Sequence, residues 1–171
     1  MEKATVTLKC DEIIGTVSPL LYGHFAEHIG GVIYGGIYVG RDSEIPNIRG
    51  FRTDIITKLK RISPSVVRWP GGCFAECYDW RDGIGNNRPT RPSWWTRDDG
   101  IYESNEFGTH EFMDFCELVG AEPYLAINAT SLTPMDARNW VDYCNSPKGT
   151  TTLAKERENN KHNHLHNRLL Q

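Results

Sequence analysis

Polar or glycine-rich residues follow three of the apolar runs that the sequence offers as strands. Glu27 closes the first run, the Gly-Gly-Cys segment 71–73 follows the second, and Asn128 ends the third. If the strands are parallel, their carboxyl ends meet on one side of a sheet, and these residues lie close together. A carboxylate is a strong hydrogen-bond acceptor, and glycine lets a ligand approach the backbone. We therefore expect a binding site at the carboxyl ends of these strands.

Each of these positions also has a simpler interpretation. Glu27 could be a surface acid paired with His24 or His28. A bare Gly-Gly-Cys segment is more often a simple turn, and Asn128 could cap the turn that follows its strand. The sequence pattern alone leaves both interpretations open.

A metal site is not expected in this sequence. Cys73 and Cys77 are close enough to suggest a ligand pair, but no second pair of cysteines or histidines at structural-zinc spacing accompanies them. Three histidines alternate near the end of the chain, in a polar segment that is typical of a solvated tail: His162, His164 and His166.

The first half of the chain predicts strands and one helix. Residues 5–8 and 19–25 are β-prone or apolar runs, separated by a Gly15 to Ser18 break. Residues 50–61 place apolar side chains at helical spacing and predict an amphipathic helix. Residues 66–69 form a short apolar run that ends abruptly at proline and glycine, which predicts a buried strand.

The second half begins with a long loop, 73–108, whose many aromatic residues favour a functional role. A helix is predicted from Thr109, as N-cap, to Gly120, followed by a strand at 123–128. Thr133 and Pro134 predict the start of the next helix, and a short one covers 151–158. This alternation of strands and helices predicts an α/β fold with a parallel sheet.

Composition and charge exclude several classes of protein. The chain has 171 residues and a formal net charge of -3, with its basic residues scattered, which argues against a nucleic-acid partner or a membrane surface. No apolar run is long enough for a membrane span, and no signal peptide is visible. The 5 cysteines are irregularly spaced and fit reduced thiols, so we expect a cytoplasmic protein.

Several ordered strings of residues closely resemble family 51 glycoside hydrolases, the α-L-arabinofuranosidases. The first strings are 21–28 (LYGHFAEH), 33–37 (IYGGI) and 68–75 (RWPGGCFA). The resemblance continues through 80–85 (WRDGIG), 88–91 (RPTR) and 107–112 (FGTHEF). It covers about residues 5 to 158, and strings rich in tryptophan and glycine are more specific than any short motif.

The resemblance implies a (β/α)8 TIM barrel plus a β-sandwich domain, and a retaining hydrolase of terminal α-L-arabinofuranosyl groups in arabinan or arabinoxylan oligosaccharides. It implies no metal or organic cofactor, and the full-length protein is expected to be a homo-oligomer. Three βα units cannot close a barrel. The acid/base glutamate and the nucleophile glutamate, at the ends of the family's fourth and seventh strands, are expected further C-terminal, so no catalytic glutamate is expected in this chain.

By the same resemblance, several residues are expected around the sugar. Glu27 accepts hydrogen bonds from sugar hydroxyls, and Cys73 lies beside the sugar. Arg68 supports the nucleophile by holding its carboxylate ionised. Trp94 or Trp95 forms a substrate wall, or else anchors the loop core. Asn128 binds substrate or caps a turn.

The resemblance also divides the chain into regions. Residues 1–17 carry an N-terminal strand assigned to the β-sandwich domain, and residues 18–158 form the first part of the barrel. After Glu158 the sequence turns polar and departs from the family pattern, so 159–171 is a divergent tail.

Two other functions compete with this interpretation. A non-catalytic carbohydrate-binding module could use the aromatic loop and Glu27. A small autonomous hydrolase could combine Glu27 with Glu111 or Asp82, although an acid in the first turn of a helix, such as Glu111, is commonly there for the helix dipole.

Overall fold

A computed structural model of the chain describes residues 3–93 and 101–160. Its strands and helices are, in chain order, β1 (His24–Phe25), β2 (Asn47–Ile48), β3 (Phe51–Arg52), α1 (Thr53–Ile62), β4 (Val66–Trp69), β5 (Arg91–Pro92), β6 (Tyr102–Glu103), α2 (Thr109–Val119), β7 (Glu122–Leu125), α3 (Pro134–Asn145) and α4 (Thr152–Asn159). Single 3-10 turns cover Pro19–Tyr22, Cys73–Glu76 and Trp80–Gly83. The predicted alternation of strands and helices is therefore present.

The central element is a parallel sheet in the order β1-β4-β7. Phe25, Arg68 and Tyr124 lie side by side across its three strands. The strands β2 and β3 form a small antiparallel ladder, and so do β5 and β6. The α/β class and the parallel sheet predicted from the sequence are confirmed.

The two faces of this sheet differ. Val67 and Trp69 of β4 are buried, and Trp69 stacks on Phe112 of α2 with ring centroids 5.1 Å apart. The other face carries Phe25, 78% exposed, and Tyr124, 53% exposed, on either side of Arg68. The strand predicted as buried at 66–69 is therefore buried on one face, because helices cover one side of the sheet only.

Helix ends follow local sequence signals, with one correction. Gly120 adopts a left-handed φ of 78° at the end of α2, and Thr133 begins α3 in a reciprocal capping box with Asp136. The predicted N-cap at Thr109 is wrong, because Gly108 holds that position. The Thr109 hydroxyl is buried and accepts a hydrogen bond of 3.1 Å from the Trp140 indole.

The strand predicted at residues 5–8 is also wrong. This segment is extended, but no described strand lies beside it to supply backbone hydrogen bonds, and Val6 and Leu8 are each 83% exposed. The run at 19–25 is a strand only at its last two residues, since Pro19 and the Ser18 hydroxyl favour a helical turn first. The strand predicted at 123–128 ends at Leu125, before Asn128.

Within the described ranges, none of the helices combines the length and the apolar character needed to cross a membrane.

Candidate functional site

Glu27 lies where the carboxyl ends of β1 and β4 meet. Its side chain packs directly on Gly71, which has a left-handed φ of 138°, and on Gly72. A Cβ at Gly71 would lie 2.2 Å from Glu27 Cγ. Nothing in the described part of the chain hydrogen-bonds to the Glu27 carboxylate. The absence of a side chain at Gly71 thus leaves room for a partly exposed, unpaired acid.

Arg68 lies on the open face of the sheet. Its guanidinium carbon lies 5.3 Å from the centre of the Phe25 ring, a cation–π arrangement. Among residues 3–93 and 101–160 it has no carboxylate partner. A fixed cation without a partner can hold an incoming carboxylate in its ionised form.

Cys73 is an exposed free thiol at the start of a 3-10 turn, directly after Gly71 and Gly72. The loop therefore brings Cys73 to the same end of the sheet as Glu27. Trp94 and Trp95 lie outside the described residues. Trp80 is buried and its indole donates to Asp136 O at 3.2 Å, so this tryptophan anchors the loop.

Asn128 is occupied by its own loop. Its side-chain oxygen accepts hydrogen bonds from the backbone of Thr130 and Ser131, at 3.0 and 2.9 Å, and from Leu132 N at 3.4 Å. Its amide nitrogen donates to Tyr78 O at 3.1 Å and to the Ser131 hydroxyl at 2.8 Å. This geometry supports the turn-capping interpretation, since no hydrogen-bonding capacity is left over for a ligand.

The two other carboxylates considered for catalysis are held in ion pairs. Glu111 receives two hydrogen bonds from Arg88, at 2.9 and 3.0 Å, and also accepts from Gly108 N. Asp82 receives two from Arg91, at 2.8 and 3.1 Å. Both acids therefore stabilise the long loop.

A buried polar network not identified from the sequence is centred on His28, the residue that follows Glu27. The Trp69 indole donates to His28 Nε2 at 2.9 Å, and His28 Nδ1 lies 3.0 Å from Glu103 Oε2. The Tyr34 hydroxyl donates to the other oxygen of Glu103. The strings 21–28 and 33–37 contain His28 and Tyr34, but nothing in their spacing indicated a common partner so far along the chain.

A metal centre is not indicated by this arrangement. The part of the chain that the structure describes contains no cluster of histidine, cysteine, aspartate or glutamate side chains suited to hold a metal ion.

A sequence model of one enzyme family covers most of the chain. The model described as "Alpha-L-arabinofuranosidase 1 domain" matches residues 58–166. The chain belongs to the α-L-arabinofuranosidase family. The match runs past the boundary predicted at residue 158.

Individual arabinofuranosidases agree with this assignment. An intracellular exo-α-L-arabinofuranosidase of Bacteroides ovatus is 45% identical over 163 residues, which are 93% of this chain and 31% of that protein. α-L-Arabinofuranosidase C of Emericella nidulans is 40% identical, over 92% of this chain and 31% of its own length. The chain thus spans about 31% of the length of both relatives.

Solved structures match as well. The crystal structure of the GH51 arabinofuranosidase from Xanthomonas axonopodis pv. citri superposes with a TM-score of 0.82 and 47% identity, covering 88% of this chain and 30% of that one. An α-L-arabinofuranosidase from Thermotoga maritima, solved as an arabinose complex, superposes with a TM-score of 0.75 and 44% identity. The match covers 84% of this chain and 29% of that one. The fold of this arabinofuranosidase segment is therefore shared with family members of known structure.

The buried Glu103 should make this segment sensitive to acid. Burial alone would raise the pKa of Glu103, but hydrogen bonds from His28 and Tyr34 outweigh it and hold the pKa below its ordinary value of 4.5. The unfolded chain therefore binds the proton more readily than the folded one, and stability falls as the pH drops below about 4.5.

The measurement is the free energy of unfolding in urea, determined from pH 7 to below pH 4.5. It compares the wild type with Glu103→Gln. Glutamine does not titrate, so the variant should be less stable at pH 7 and lose less stability on acidification. Parallel pH profiles for the two proteins would contradict the prediction.

Proposed function

We propose that this chain is the N-terminal part of a retaining glycoside hydrolase that removes terminal α-L-arabinofuranosyl groups from arabinan or arabinoxylan oligosaccharides. The observation that carries the proposal is the unpaired Glu27 carboxylate, packed on Gly71 and Gly72 where two parallel strands end. Sugars present hydroxyl donors, and an ionised carboxylate is the strongest acceptor that a protein offers them. In this proposal Glu27 binds the furanosyl hydroxyls and Cys73 lies beside the ring.

The fold we propose for the whole protein is a (β/α)8 barrel, of which residues 18–158 form the first part. Two features of the sheet support it. Both β1 and β7 have an unpaired edge in the sheet of the described residues, and a closed barrel has none. The face that carries Phe25, Arg68 and Tyr124 is uncovered, and in a barrel the face opposite the helices becomes the packed interior.

The chemistry would use two glutamates supplied by the rest of the protein. One attacks the anomeric carbon; the other protonates the leaving oxygen and then activates water, with the two carboxyl groups about 5 Å apart. Arg68, which is free of a carboxylate partner in the described residues, would hold the nucleophile ionised. Neither step calls for a metal or an organic cofactor.

The setting we propose is cytoplasmic, with a homo-oligomeric full-length enzyme. The name of the Bacteroides ovatus relative, an intracellular enzyme, supports the location. The substrate is uncharged, in keeping with a chain that has no concentration of one charge.

A completed enzyme tests the proposal. We define it as this chain joined to the remaining polypeptide of the Bacteroides ovatus relative, which is 45% identical over the shared part. The completed enzyme should hydrolyse an aryl α-L-arabinofuranoside with retention of anomeric configuration, and the 171-residue chain alone should not.

Other outcomes would replace the proposal. Turnover by the purified chain that disappears in Glu27→Ala would indicate an autonomous hydrolase. Arabinan binding by the chain, together with an inactive completed enzyme, would favour the carbohydrate-binding module.

A further inference from the structure

Each of the three residues proposed to serve the sugar site is followed directly by a buried aromatic residue. Glu27 precedes His28, Arg68 precedes Trp69, and Cys73 precedes Phe74. Trp69, Phe74 and Glu103 each contact His28, and we refer to these four residues as the histidine cluster. The His28 and Phe74 rings are stacked, with centroids 4.2 Å apart and planes 10° from parallel.

The hydrogen bonds of this cluster define the tautomer of the neutral His28 ring. An indole N–H can only donate, so His28 Nε2, which lies 2.9 Å from Trp69 Nε1, must be the acceptor. The ring proton of neutral His28 then resides on Nδ1 and is donated to Glu103 Oε2 at 3.0 Å. A flipped ring would break both hydrogen bonds, so the ring has one orientation.

Glu103 connects this ring to the far end of the long loop. It lies on β6, is 8% exposed, and its second oxygen accepts from the Tyr34 hydroxyl and from Asn105 N, the latter at 2.8 Å. Its carboxylate is therefore fully used inside the protein and is not available to a sugar.

We propose that His28 is a positioning residue for the sugar site, fixed in its Nδ1-protonated form between Trp69 and Glu103. The inference rests on the proposed function, because it concerns how Glu27 is held. The backbone of His28 is bonded to Pro70 O at 3.2 Å, next to the glycine on which Glu27 packs. A shift of the His28 ring thus moves the backbone that carries Glu27, and the stacked Phe74 carries Cys73 with it.

The test is Glu103→Gln in the completed enzyme. The new amide must present its NH2 group either to His28 Nδ1–H or to Asn105 N–H, so one donor faces another in either orientation. We expect kcat/KM for an aryl α-L-arabinofuranoside to fall by about tenfold or more, the scale of losses when a reacting group is misplaced from a distance. When Glu103→Gln is added to Glu27→Gln, it should lower kcat/KM much less than it does in the otherwise unchanged enzyme.

The matched control is Glu111→Gln. This acid is also mostly buried, and it bonds Arg88 and Gly108 N rather than the histidine cluster. It should lower the melting temperature, leave kcat/KM within about twofold, and combine additively with Glu27→Gln, as independent sites do.

The outcomes separate the two ideas. If Glu27→Gln is itself silent, the proposed site fails and the inference falls with it. Suppose instead that Glu27→Gln lowers kcat/KM. The positioning role alone is then overturned if Glu103→Gln lowers kcat/KM by the same factor with and without Glu27→Gln, or if it lowers only the melting temperature.

Should Glu103→Gln not fold, His28→Gln is the second variant, because its amide oxygen can accept from Trp69. It must show the same loss of kcat/KM and the same non-additivity with Glu27→Gln. Failure of both variants to fold would make the cluster purely structural and overturn the inference.

Discussion

A Glu27→Gln change in the completed enzyme should lower kcat/KM for an aryl α-L-arabinofuranoside by about tenfold to a hundredfold. Glutamine keeps the shape of the side chain but replaces a charged acceptor with a neutral one. The hydrogen bond lost is worth roughly 1.5 to 3 kcal/mol. Part of the loss should appear in kcat, because hydroxyl contacts in glycosidases tighten at the oxocarbenium-like transition state.

The competing interpretation of Glu27 as a surface acid predicts a different result. An exposed ion pair contributes under about 1 kcal/mol, so its loss would alter stability slightly and leave kcat/KM unchanged. The structure already disfavours pairing with His28, whose ring is bonded to Trp69 and Glu103. Glu76→Gln, an exposed acid in the neighbouring turn, is the control and should be kinetically silent. Unchanged kinetics in Glu27→Gln would remove Glu27 from the site.

A Gly71→Ala change should damage both stability and activity. The left-handed φ of 138° disfavours any side chain, and strain of this kind costs about 1–3 kcal/mol. The added Cβ would also lie 2.2 Å from Glu27 Cγ and 2.7 Å from Glu27 Cβ, so Glu27 must move. Displacement of a binding group by about 1 Å can cost about a hundredfold in rate.

Gly72→Ala is the matched control for this effect. Gly72 has a φ of -83°, and its added Cβ would lie 3.5 Å from Glu27 Oε1, an ordinary contact. The measurements are the melting temperature and kcat/KM of the completed enzyme carrying each change. Equal losses in the two variants would show that Glu27 does not depend on the absence of a side chain at Gly71.

Local signals in the sequence predicted the helices well. Gly120, Thr133 and Pro134 act within one turn of the chain, so their effect on helix ends can be read without knowing the fold. The strand at 5–8 could not be judged in the same way, because a strand exists only where a second strand supplies hydrogen bonds. The N-cap of α2 was assigned to Thr109 because its hydroxyl is a good cap, yet burial against Trp140 uses that hydroxyl elsewhere.

The site was predicted in part. Parallel strands place Glu27 and Gly71 at the same carboxyl end of the sheet, and this follows from the order of elements. The sequence could not show that Gly71 makes space for Glu27 in particular, since that depends on how two strands approach each other. It also could not show the hydrogen bond between His28 and Glu103, because these residues are 75 positions apart in the chain.

The clamp formed by Arg88 has a consequence for the speed of folding. Pairing of β4 with β7 requires the long intervening loop to close, and non-local pairing of this kind is slow because chain entropy is lost before contacts form. Arg88 donates to Asn105 O and Glu106 O, both at 2.8 Å, as well as to Glu111 at the start of α2. Once these bonds exist, the part of the loop from Arg88 to Glu111 is already closed. The remaining segment to be closed is shorter, so we expect the Arg88 bonds to speed the pairing of β4 with β7.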